Sequence, residues 1–403
     1  MRDFGNQQLT FGGYLGFLIC LAVMPMLMHS HFRILAGALT AAWFAAHPAL
    51  AQEPPAGPAQ QQSTGQGSGY VRIQGRDGAA PQAPAIGGEV LLNLREEMRK
   101  FVQSISRFAR RTKPGFIIIV EDGLELLVKR DDIDENRIAP ARTYMRSLDG
   151  VLAQGLFYDI NTPGKPPPPD RQRGMLNRAD FAIQNGVKVF TLDFGEGRQI
   201  IDSAHEQAKK RGFISLVSNA PMNDITELPN YPPRPFGENP SSVISLSQVK
   251  NFAILSNSQR YGRQDEFALA MHKHNYDMLI VDVFHGRKPL SRQAVETLKY
   301  KKLGARRLVL ALMNLGTAAS YAYYWKDNWR EGSPAFINAP VRGDPDRYNV
   351  QFWNPAWQQI ISGNPNSYVY GLIAQGFDGV VISGIEAFKF FEGGGEEETQ
   401  EGQ

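Results

Sequence analysis

The sequence has 403 residues, of which 43 are basic and 40 are acidic, so the formal net charge at neutral pH is only +3. This balance, together with the lack of a long basic run, excludes a typical nucleic-acid-binding protein, which concentrates its basic residues on one face. The single cysteine, Cys20, lies close to the start of the chain, so the sequence offers no disulfide, no thiolate metal site and no cysteine nucleophile beyond it.

The first 51 residues predict a leader for export. Apolar stretches cover residues 11–28 and 34–46, and Ala49-Leu50-Ala51 then supplies the small residues that a signal peptidase accepts. We predict cleavage after Ala51 and a secreted or periplasmic protein, and translation from Met28 would give a leader of ordinary length. The alternative is a membrane anchor at 11–28, whose roughly 18 apolar-leaning residues are the low end for spanning a bilayer.

Two segments have the composition of disordered chain. Residues 52–87 are rich in Pro, Gln, Gly, Ser and Ala and have almost no large apolar side chains, and the tail at 393–403 is acidic and glycine-rich. Such segments cannot bury enough apolar surface to offset the entropy of ordering. We therefore predict a disordered linker at 52–87, one folded domain at 88–392 and a disordered tail.

Eight short apolar runs within 88–392 predict strands that are buried on both faces, as parallel strands are. They lie at 116–120, 156–160, 187–194, 213–217, 252–255, 278–284, 308–315 and 377–382. Stretches of helical periodicity separate several of them, at 98–109, 199–210, 266–274 and 292–302. The alternation predicts an α/β fold, a single-domain (β/α)₈ TIM barrel, over a doubly wound open sheet, because no phosphate-binding glycine loop follows any run.

Polar side chains follow many of these runs. In a TIM barrel the carboxyl ends of the strands build the active site, so these residues are the candidates for chemistry. They are Glu121, Asp122, Asp159, Asp193, Asp282, Asn314, Ser383 and Glu386. Any one acid could instead cap a helix or pair with a loop arginine, but acids that converge on one mouth suit acid–base work on a glycosidic bond.

Other patterns are less informative. Aromatic side chains are frequent after the seventh run, including Tyr321, Trp325 and Trp353, where they would either stack on sugar rings or cover a large loop. His272 and His274 do not share a helical face, so we expect no metal site, and no cofactor motif is present. We expect a monomer that binds a glycan, and contact with a membrane only through an uncleaved leader.

Several segments resemble the glycoside hydrolase family 114 barrels, which are endo-α-1,4-polygalactosaminidase-like. They are residues 276–282 (YDMLIVD), 344–357 (DPDRYNVQFWNPAW), 375–381 (QGFDGVV) and 386–392 (EAFKFFE), within a resemblance that extends over about 94–392. The resemblance implies a hydrolase of amino-sugar polysaccharides with Asp282 as a catalytic aspartate. The candidate catalytic residues are then Asp282, Glu121 and Asp193, and the candidate substrate-binding residues are Asp122, Tyr158, Asp159, Asn314, Trp353 and Glu386.

The departures from that family's pattern leave two readings open. The positions that resemble the family's catalytic glutamate and its arginine are Ala319 and Ala322, and a further acid is replaced by Ser383. Hydrolysis normally needs two carboxyl groups. Either Glu121 or Asp122 replaces the lost glutamate, or the barrel binds a glycan without cutting it.

The order of the segments also differs from that of the family. The helix at 96–111 comes first and the strand at 377–382 comes last, as if the chain were circularly permuted within one βα loop. We therefore predict that strand 116–120 pairs with strand 377–382. Both ends of the folded unit should then lie together beside the mouth, because βα loops lie on that face of the barrel. The fold would lose little by such a permutation, which is tolerated where chain ends are close and exposed.

Overall fold

The computed structural model describes residues 70–74, 89–130 and 138–393, and its centre is an eight-stranded parallel sheet. The barrel strands are β1 (Ile117–Glu121), β2 (Gly150–Gln154), β3 (Lys188–Phe194), β4 (Ile214–Ser218), β5 (Phe252–Leu255), β6 (Met278–Asp282), β7 (Leu308–Asn314) and β8 (Gly379–Ser383). Hydrogen bonds join them in the order β4-β3-β2-β1-β8-β7-β6-β5. Together with the helices between them, these strands form a (β/α)₈ barrel, which confirms the predicted fold class.

The barrel has one seam. β4 and β5 are the two edges of the hydrogen-bonded sheet, and no paired register joins them among the described residues. Elsewhere the strands pair in register, including the first with the last, where Ile117 lies opposite Gly379 and Val120 opposite Ile382. The predicted pairing of these two strands is therefore confirmed, and the circle is interrupted between the fourth and fifth strands instead.

Alternate residues of each strand belong to different layers. Ile117 and Ile119 pack with residues of the other seven strands in one cluster that fills the barrel. Ile118 and Val120 belong to a second cluster, which also contains Phe101 and other helix residues and so lies between sheet and helices. Both faces of every strand are thus buried, which is why the strands read as continuous apolar runs.

The helices described in the structure surround the sheet. They are α1 (Leu94–Thr112), α2 (Arg142–Arg146), α3 (Pro169–Gln184), α4 (Arg198–Arg211), α5 (Gln264–Met271), α6 (Arg292–Leu298), α7 (Pro355–Ile361), α8 (Tyr368–Gln375) and α9 (Ala387–Glu392). α1 begins where the Asn93 side chain accepts a hydrogen bond from the backbone N–H of Glu96, 2.9 Å away. It buries Phe101 and Ile105, as its periodicity predicts.

The two ends of the described barrel meet at the mouth. Arg95, at the start of α1, donates to both carboxylate oxygens of Glu392, at the end of α9, over 3.1 and 3.0 Å. Arg95 also reaches Glu125, just beyond the carboxyl end of β1. The described ends of the barrel, at Arg95 and Glu392, therefore lie together on this face, while Gly88, the predicted start of the folded unit, lies outside the described residues.

One predicted strand is wrong. Residues 156–160 are a loop, and β2 lies six residues earlier, at Gly150–Gln154. Gly155 leaves the strand with a left-handed φ of 64°, and the backbone N–H groups of Phe157 and Tyr158 then donate to the Asp193 carboxylate. The apolar side chains of this loop are buried against the helices, which is why the run looks like a strand in the sequence.

Shorter strands form small sheets outside the eight-stranded sheet of the barrel. The connection after β7 holds a three-stranded antiparallel sheet of Thr317–Ala319, Ile337–Val341 and Asp344–Val350, here called the β7 insert. Hairpins join Val128–Arg130 with Ile138–Pro140 and Phe284–His285 with Lys288–Pro289. No helix in the described ranges is long and apolar enough to span a bilayer.

Some of the predicted segments fall largely outside the described residues. Tyr70–Gln74, within the predicted linker, is a strand that pairs antiparallel with Glu89–Asn93. The predicted leader at 1–51, the rest of the linker and all but the first residue of the tail lie outside the described residues, and those predictions stay as they are.

A buried ion pair fixes the long connection between β4 and β5 to the base of the barrel. The ammonium group of Lys301 lies 2.6 Å from the carboxylate of Asp277, and both side chains are fully buried. Lys301 also donates to the carbonyl oxygens of Asn239 and Ser241. These bonds satisfy all three donors of the ammonium group, which is the condition under which a buried charge is tolerated.

Candidate active site

The polar residues at the carboxyl ends of the strands continue the inward-facing rows of the barrel. Glu121 lies two residues after the inward Ile119, and Asp282 lies two residues after the inward Ile280. The same step from an inward residue leads to Gln154, Ser218, Ser256, Asn314 and Ser383. Because side chains alternate along a strand, this row forms one polar layer on top of the apolar barrel interior.

Two adjoining cavities open on this layer. The larger, here called the Asp282 cavity, has a volume of about 410 Å³ and is lined by Asp282, residues of β7 and β8, and the β7 insert. The smaller, here called the acidic cavity, has a volume of about 260 Å³ and is lined by Glu121, Asp122, Glu386 and their neighbours. Both are lined by Asn223, Asn314 and Ser383, so they meet at these residues.

Glu121 and Asp122 are held together by one amide. The Gln154 Nε2 donates to Glu121 over 2.6 Å and to Asp122 over 3.0 Å, and the backbone N–H of Gln154 donates to Asp122 over 2.8 Å. Burial, helped by the charges of Asp122 and Glu386, raises the pKa of Glu121 well above its usual range. Burial also raises the pKa of Asp122 to about 6, against its hydrogen bonds from Gln154. Protons are therefore retained here at a pH where ordinary carboxyl groups have lost them.

The backbone around these acids is unusual. Asp122 has a φ of 55°, in the left-handed region that few residues other than glycine adopt. The next residue, Gly123, is also left-handed, and its N–H donates to Glu386 over 3.2 Å. Glu386 in turn pairs with Lys389 at 2.9 Å. The left-handed turn thus places Asp122 and Glu386 beside Glu121 in one cavity.

Asp282 is the acid of the larger cavity. One of its oxygens accepts a hydrogen bond from the backbone N–H of Phe284, 2.9 Å away. Burial raises the pKa of Asp282 to about 6, although this hydrogen bond and the positive charge of Arg347 oppose the rise. Asp282 therefore titrates in the range that acid–base catalysis near neutral pH requires.

The β7 insert supplies a polar wall opposite Asp282. Arg347 donates to the hydroxyl of Tyr321 over 2.7 Å and pairs with Asp344 at 3.1 Å. The Tyr324 hydroxyl accepts from the backbone N–H of Ala319, and Tyr368 completes the aromatic lining. The wall therefore presents a guanidinium group and several hydroxyl groups, a chemistry suited to a polar ligand.

Two further polar groups have unused bonding capacity. The Asn314 Oδ1 accepts from the N–H groups of Gly316 and Thr317, and its Nδ2 has no hydrogen-bond partner among the described residues. The buried Thr317 Oγ1 likewise has none within the described part of the chain. Both residues line the Asp282 cavity, so both can bond a ligand there.

Glu121 and Asp282 are the acids of the two cavities, and four more of the residues predicted from the sequence also line them. Asp122 and Glu386 lie in the acidic cavity and Asn314 lies where the two cavities meet. Ser383 is also at that meeting point, and Ala319 and Ala322 line the Asp282 cavity. The positions at which the family resemblance implies lost catalytic side chains therefore face the same space as Asp282.

Asp193 does not line either cavity. It lies between the inward Leu192 and Phe194, so its side chain points toward the helices, where it is 0% exposed. One oxygen accepts from the N–H groups of Phe157 and Tyr158, over 2.7 and 3.1 Å. Burial raises the pKa of Asp193 to about 6. The structure thus places Asp193 where it anchors the loop after β2, outside both cavities and apart from Glu121 and Asp282.

The other three predicted binding residues also lie apart from the two cavities. Asp159 is buried and pairs with Arg171 at 3.2 Å. The Tyr158 side chain packs against the cluster between sheet and helices. Trp353 packs its ring against Phe391, with ring centroids 4.7 Å apart. The predicted convergence on the mouth therefore holds for Glu121 and Asp282 but not for Asp159 and Asp193.

Several site residues were not identified from the sequence. Strand alternation would have identified Gln154 and Ser256, because each lies two positions after an inward apolar residue. Arg347, Asp344 and Tyr368 lie far from the strand ends in sequence, and no local pattern marks them. Within the aromatic-rich stretch Trp325 stacks on Tyr348, which is the predicted packing of a large loop, whereas Tyr321 and Tyr324 line the cavity, where stacking on a sugar ring stays a prediction.

No group of three or more His, Cys, Asp or Glu side chains arranged to hold a metal ion occurs within the ranges that the structure describes. Carboxyl groups, amides, hydroxyls and one guanidinium group are the chemistry that the two cavities offer.

Comparison with known proteins gives relatives but no function. No protein-family model matches the chain. It is 29% identical over 153 residues to an uncharacterized protein of Deinococcus radiodurans, covering 37% of this chain and 45% of that protein. Uncharacterized proteins of Thermotoga maritima and Methanocaldococcus jannaschii are each 24% identical, over 151 residues (38% of this chain, 45% of the relative) and 180 residues (43% and 50%). The matches thus span about half the length of these relatives.

Proposed function

We propose that the chain is an exported glycoside hydrolase of an amino-sugar-containing polysaccharide, similar to the family 114 enzymes, and that Glu121 and Asp282 do the chemistry. The observation that carries this proposal is the pair of half-buried acids with raised pKa values, one in each of two adjoining cavities at the barrel mouth. Paired carboxyl groups that flank a bond are the usual machinery of glycoside hydrolysis.

The two acids suit different roles. Glu121 keeps its proton to a higher pH than an ordinary carboxyl group, because burial and the nearby Asp122 and Glu386 raise its pKa. It therefore acts as the acid that protonates the departing glycosidic oxygen. Asp282 loses its proton above a pH of about 6 and then acts as the base for water or as the nucleophile at the sugar carbon. Either route adds one water molecule across the bond.

The spacing of the strands leaves room for a sugar between the acids. In the sheet order, β7 and β8 lie between β6, which carries Asp282, and β1, which carries Glu121. Neighbouring strands are about 4.8 Å apart, so the two strand ends are about 14 Å apart along the sheet. Both side chains continue inward-facing rows, which shortens the gap across the mouth.

The preference for an amino sugar rests on the other acids of the acidic cavity. Besides Glu121, the acidic cavity is lined by the carboxyl groups of Asp122 and Glu386. An ammonium group on the sugar would pair with these carboxylates, and burial strengthens such a pair. Asn314 and Thr317 have donors or acceptors to spare for sugar hydroxyl groups.

The second candidate function is a barrel that binds such a glycan without hydrolysing it. The observation that favours it is Ala319, which lines the same cavity as Asp282 at the position where the resemblance implies a catalytic glutamate. If Glu121 does not replace that group, the cavity retains binding residues and one acid, and hydrolysis falls steeply.

The deciding experiment measures reducing ends released from de-N-acetylated α-1,4-linked galactosamine polymer, with binding of the same polymer followed by calorimetry. Asp282→Asn and Glu121→Gln should each lower the rate about 100- to 10,000-fold and leave binding within a few-fold. Asp170→Asn, at an exposed acid on α3, is the matched control and should change neither.

The outcomes separate the two functions. Release of reducing ends that depends on both acids supports the hydrolase. Binding without any release supports the glycan-binding barrel instead. If the polymer neither binds nor is cut, the amino-sugar proposal fails in both forms.

Export is tested separately. N-terminal sequencing of the exported protein should give a first residue at or near Gln52, because cleavage is proposed after Ala51. An intact 11–28 segment on that protein would favour a membrane anchor.

A further inference from the structure

Positive charge gathers at the base of the barrel, the end opposite the two cavities. The helices run against the strands, so their carboxyl ends lie at the base, and basic side chains in a helix's last turn favour its dipole. α1 ends with Arg110 and Arg111, and α4 ends with Lys209, Lys210 and Arg211. Two of them are paired with acids, Arg110 with Asp149 and Arg211 with Asp180. Loops that lead into β5, β6 and β7 add Lys250, Lys273, Lys302 and Arg306. The mouth holds Glu121, Asp122, Asp282 and Glu386 together with two cations, Arg347 and Lys389.

Exposed apolar side chains project among these charges. Leu303 is 93% exposed, Ile244 is 72% exposed, and Tyr300 is also exposed. The loops that carry them are joined, because the N–H of Val243 donates to the carbonyl of Arg306 over 2.9 Å and the N–H of Arg306 donates to Ser242 over 3.0 Å. We call Ile244, Tyr300, Leu303, Lys273, Lys302 and Arg306 together the base patch.

Folding alone does not account for Leu303. Its φ is 70°, a left-handed conformation that a leucine adopts only at an energetic cost and that glycine or asparagine adopts readily. Its side chain is in water and adds nothing to the core. Its apolar side chain would be stabilised by burial only if the surface of another molecule covered it.

The cations of the patch are only partly neutralised within the chain. Lys302 is exposed at the tip of its turn, and its N–H donates to the carbonyl of His274. Lys273 is the exposed residue just before that histidine. Burial lowers the pKa of His274, and the positive charges of Arg307, Lys273 and Lys302 add to the effect, so Lys273 and Lys302 both lie near this imidazole. Arg306 pairs with Glu296 at 3.7 Å and lies over the Tyr300 ring.

We propose that the base patch docks the barrel on an anionic lipid surface, with Leu303 and Ile244 entering the interface and Lys273, Lys302 and Arg306 pairing with headgroup phosphates. Apolar tips ringed by cations are what such a surface binds, because apolar burial and attraction to anionic lipids add together. Docking at the base leaves the mouth facing away from the lipid. The contact involves neither cavity and does not depend on the proposed catalytic activity.

The test uses the full chain with a probe that reports locally. In a Cys20→Ser background, Leu303→Cys is labelled with an environment-sensitive fluorophore, and Ile138→Cys is the control. Ile138 is 59% exposed and lies in the hairpin that follows β1, away from the base. Vesicles are either phosphatidylcholine alone or an equal mixture with phosphatidylglycerol.

We expect the label at 303 to gain emission and to be quenched by lipid-borne quenchers on anionic vesicles only, while the label at 138 stays unchanged. Changing both Lys273 and Lys302 to Gln should raise the vesicle concentration needed for the half-maximal response about 25-fold, since each cation contributes roughly fivefold to the affinity. Equal responses at 303 and 138, or none at 303, would overturn the proposal. So would a response without vesicles that tracks a doubling of mass in light scattering, because a second copy would then cover the patch.

Discussion

The variant Asp193→Asn separates a structural acid from a catalytic one. Asp193 has a pKa of about 6 in the folded protein against an ordinary value of 3.8, and its carboxyl is buried away from both cavities. Because the folded-state pKa is raised, the protonated form is favoured by folding. The contribution to stability is fully present below the ordinary value and is lost as pH rises through about 6.

The size of the effect follows from the shift. Roughly two pKa units at about 1.4 kcal/mol each give about 3 kcal/mol over the whole titration. Between pH 4.5 and 7.5 about 2 kcal/mol of this is lost. Asparagine does not titrate but keeps an oxygen that can accept from the N–H groups of Phe157 and Tyr158.

Urea unfolding at these two pH values measures the prediction. The free energy of unfolding of Asp193→Asn minus that of the wild type should rise by about 2 kcal/mol between pH 4.5 and 7.5. Taking this difference cancels the effects of the other buried acids, which both proteins share. Activity on the polymer should stay within a few-fold. The reasoning would be refuted if the difference in stability between variant and wild type were the same at both pH values and the variant were inactive. Asp193 would then belong to the active site.

Three further predictions follow from the described contacts. The rate on the polymer should rise with pH through about 6, as Asp282 loses its proton, and Asp282→Asn should remove that limb from the pH–rate profile. Lys301→Met should lower the free energy of unfolding by about 3–5 kcal/mol, because it leaves a buried carboxylate uncompensated, whereas the exposed Lys273→Met should change it by under about 0.5 kcal/mol in urea titration. Gly379→Ala should lower the free energy of unfolding by about 1–3 kcal/mol, because its new Cβ would lie 2.5 Å from a carbonyl oxygen of β1. Gly371→Ala has open space around the new Cβ and should not lower the free energy of unfolding in the same assay.

The fold could be predicted from the sequence because its strands are buried on both faces. The run at 252–255 coincides with β5, and those at 187–194 and 308–315 differ from β3 and β7 by one residue at an end. The run at 156–160 is apolar but is not a strand, because a hydrophobic pattern indicates that side chains are buried and does not show that the backbone pairs in a sheet. Those side chains are buried by a loop that the Asp193 carboxylate holds in place.

The site could be predicted only as far as strand ends define it. Glu121 and Asp282 follow inward rows, so their position at the end of a strand was enough to place them. Asp193 lies at the end of a strand as well, but on the opposite face, and counting alternate residues back along β3 would have shown this. Arg347 and Tyr368 reach the cavity through the β7 insert and α8, and only tertiary packing brings them there.

The ion pair of Arg95 with Glu392 fixes where attached polypeptide leaves the barrel. The strand Tyr70–Gln74 pairs with Glu89–Asn93, with Tyr70 opposite Asn93, so a segment attached before residue 70 or after residue 393 starts near the rim of the mouth. A short flexible linker holds its cargo at a millimolar effective concentration around its point of attachment. A glycan-binding module fused at either end would therefore concentrate polymer at the cavities. The same module inserted at the base would be held across the full height of the barrel from them.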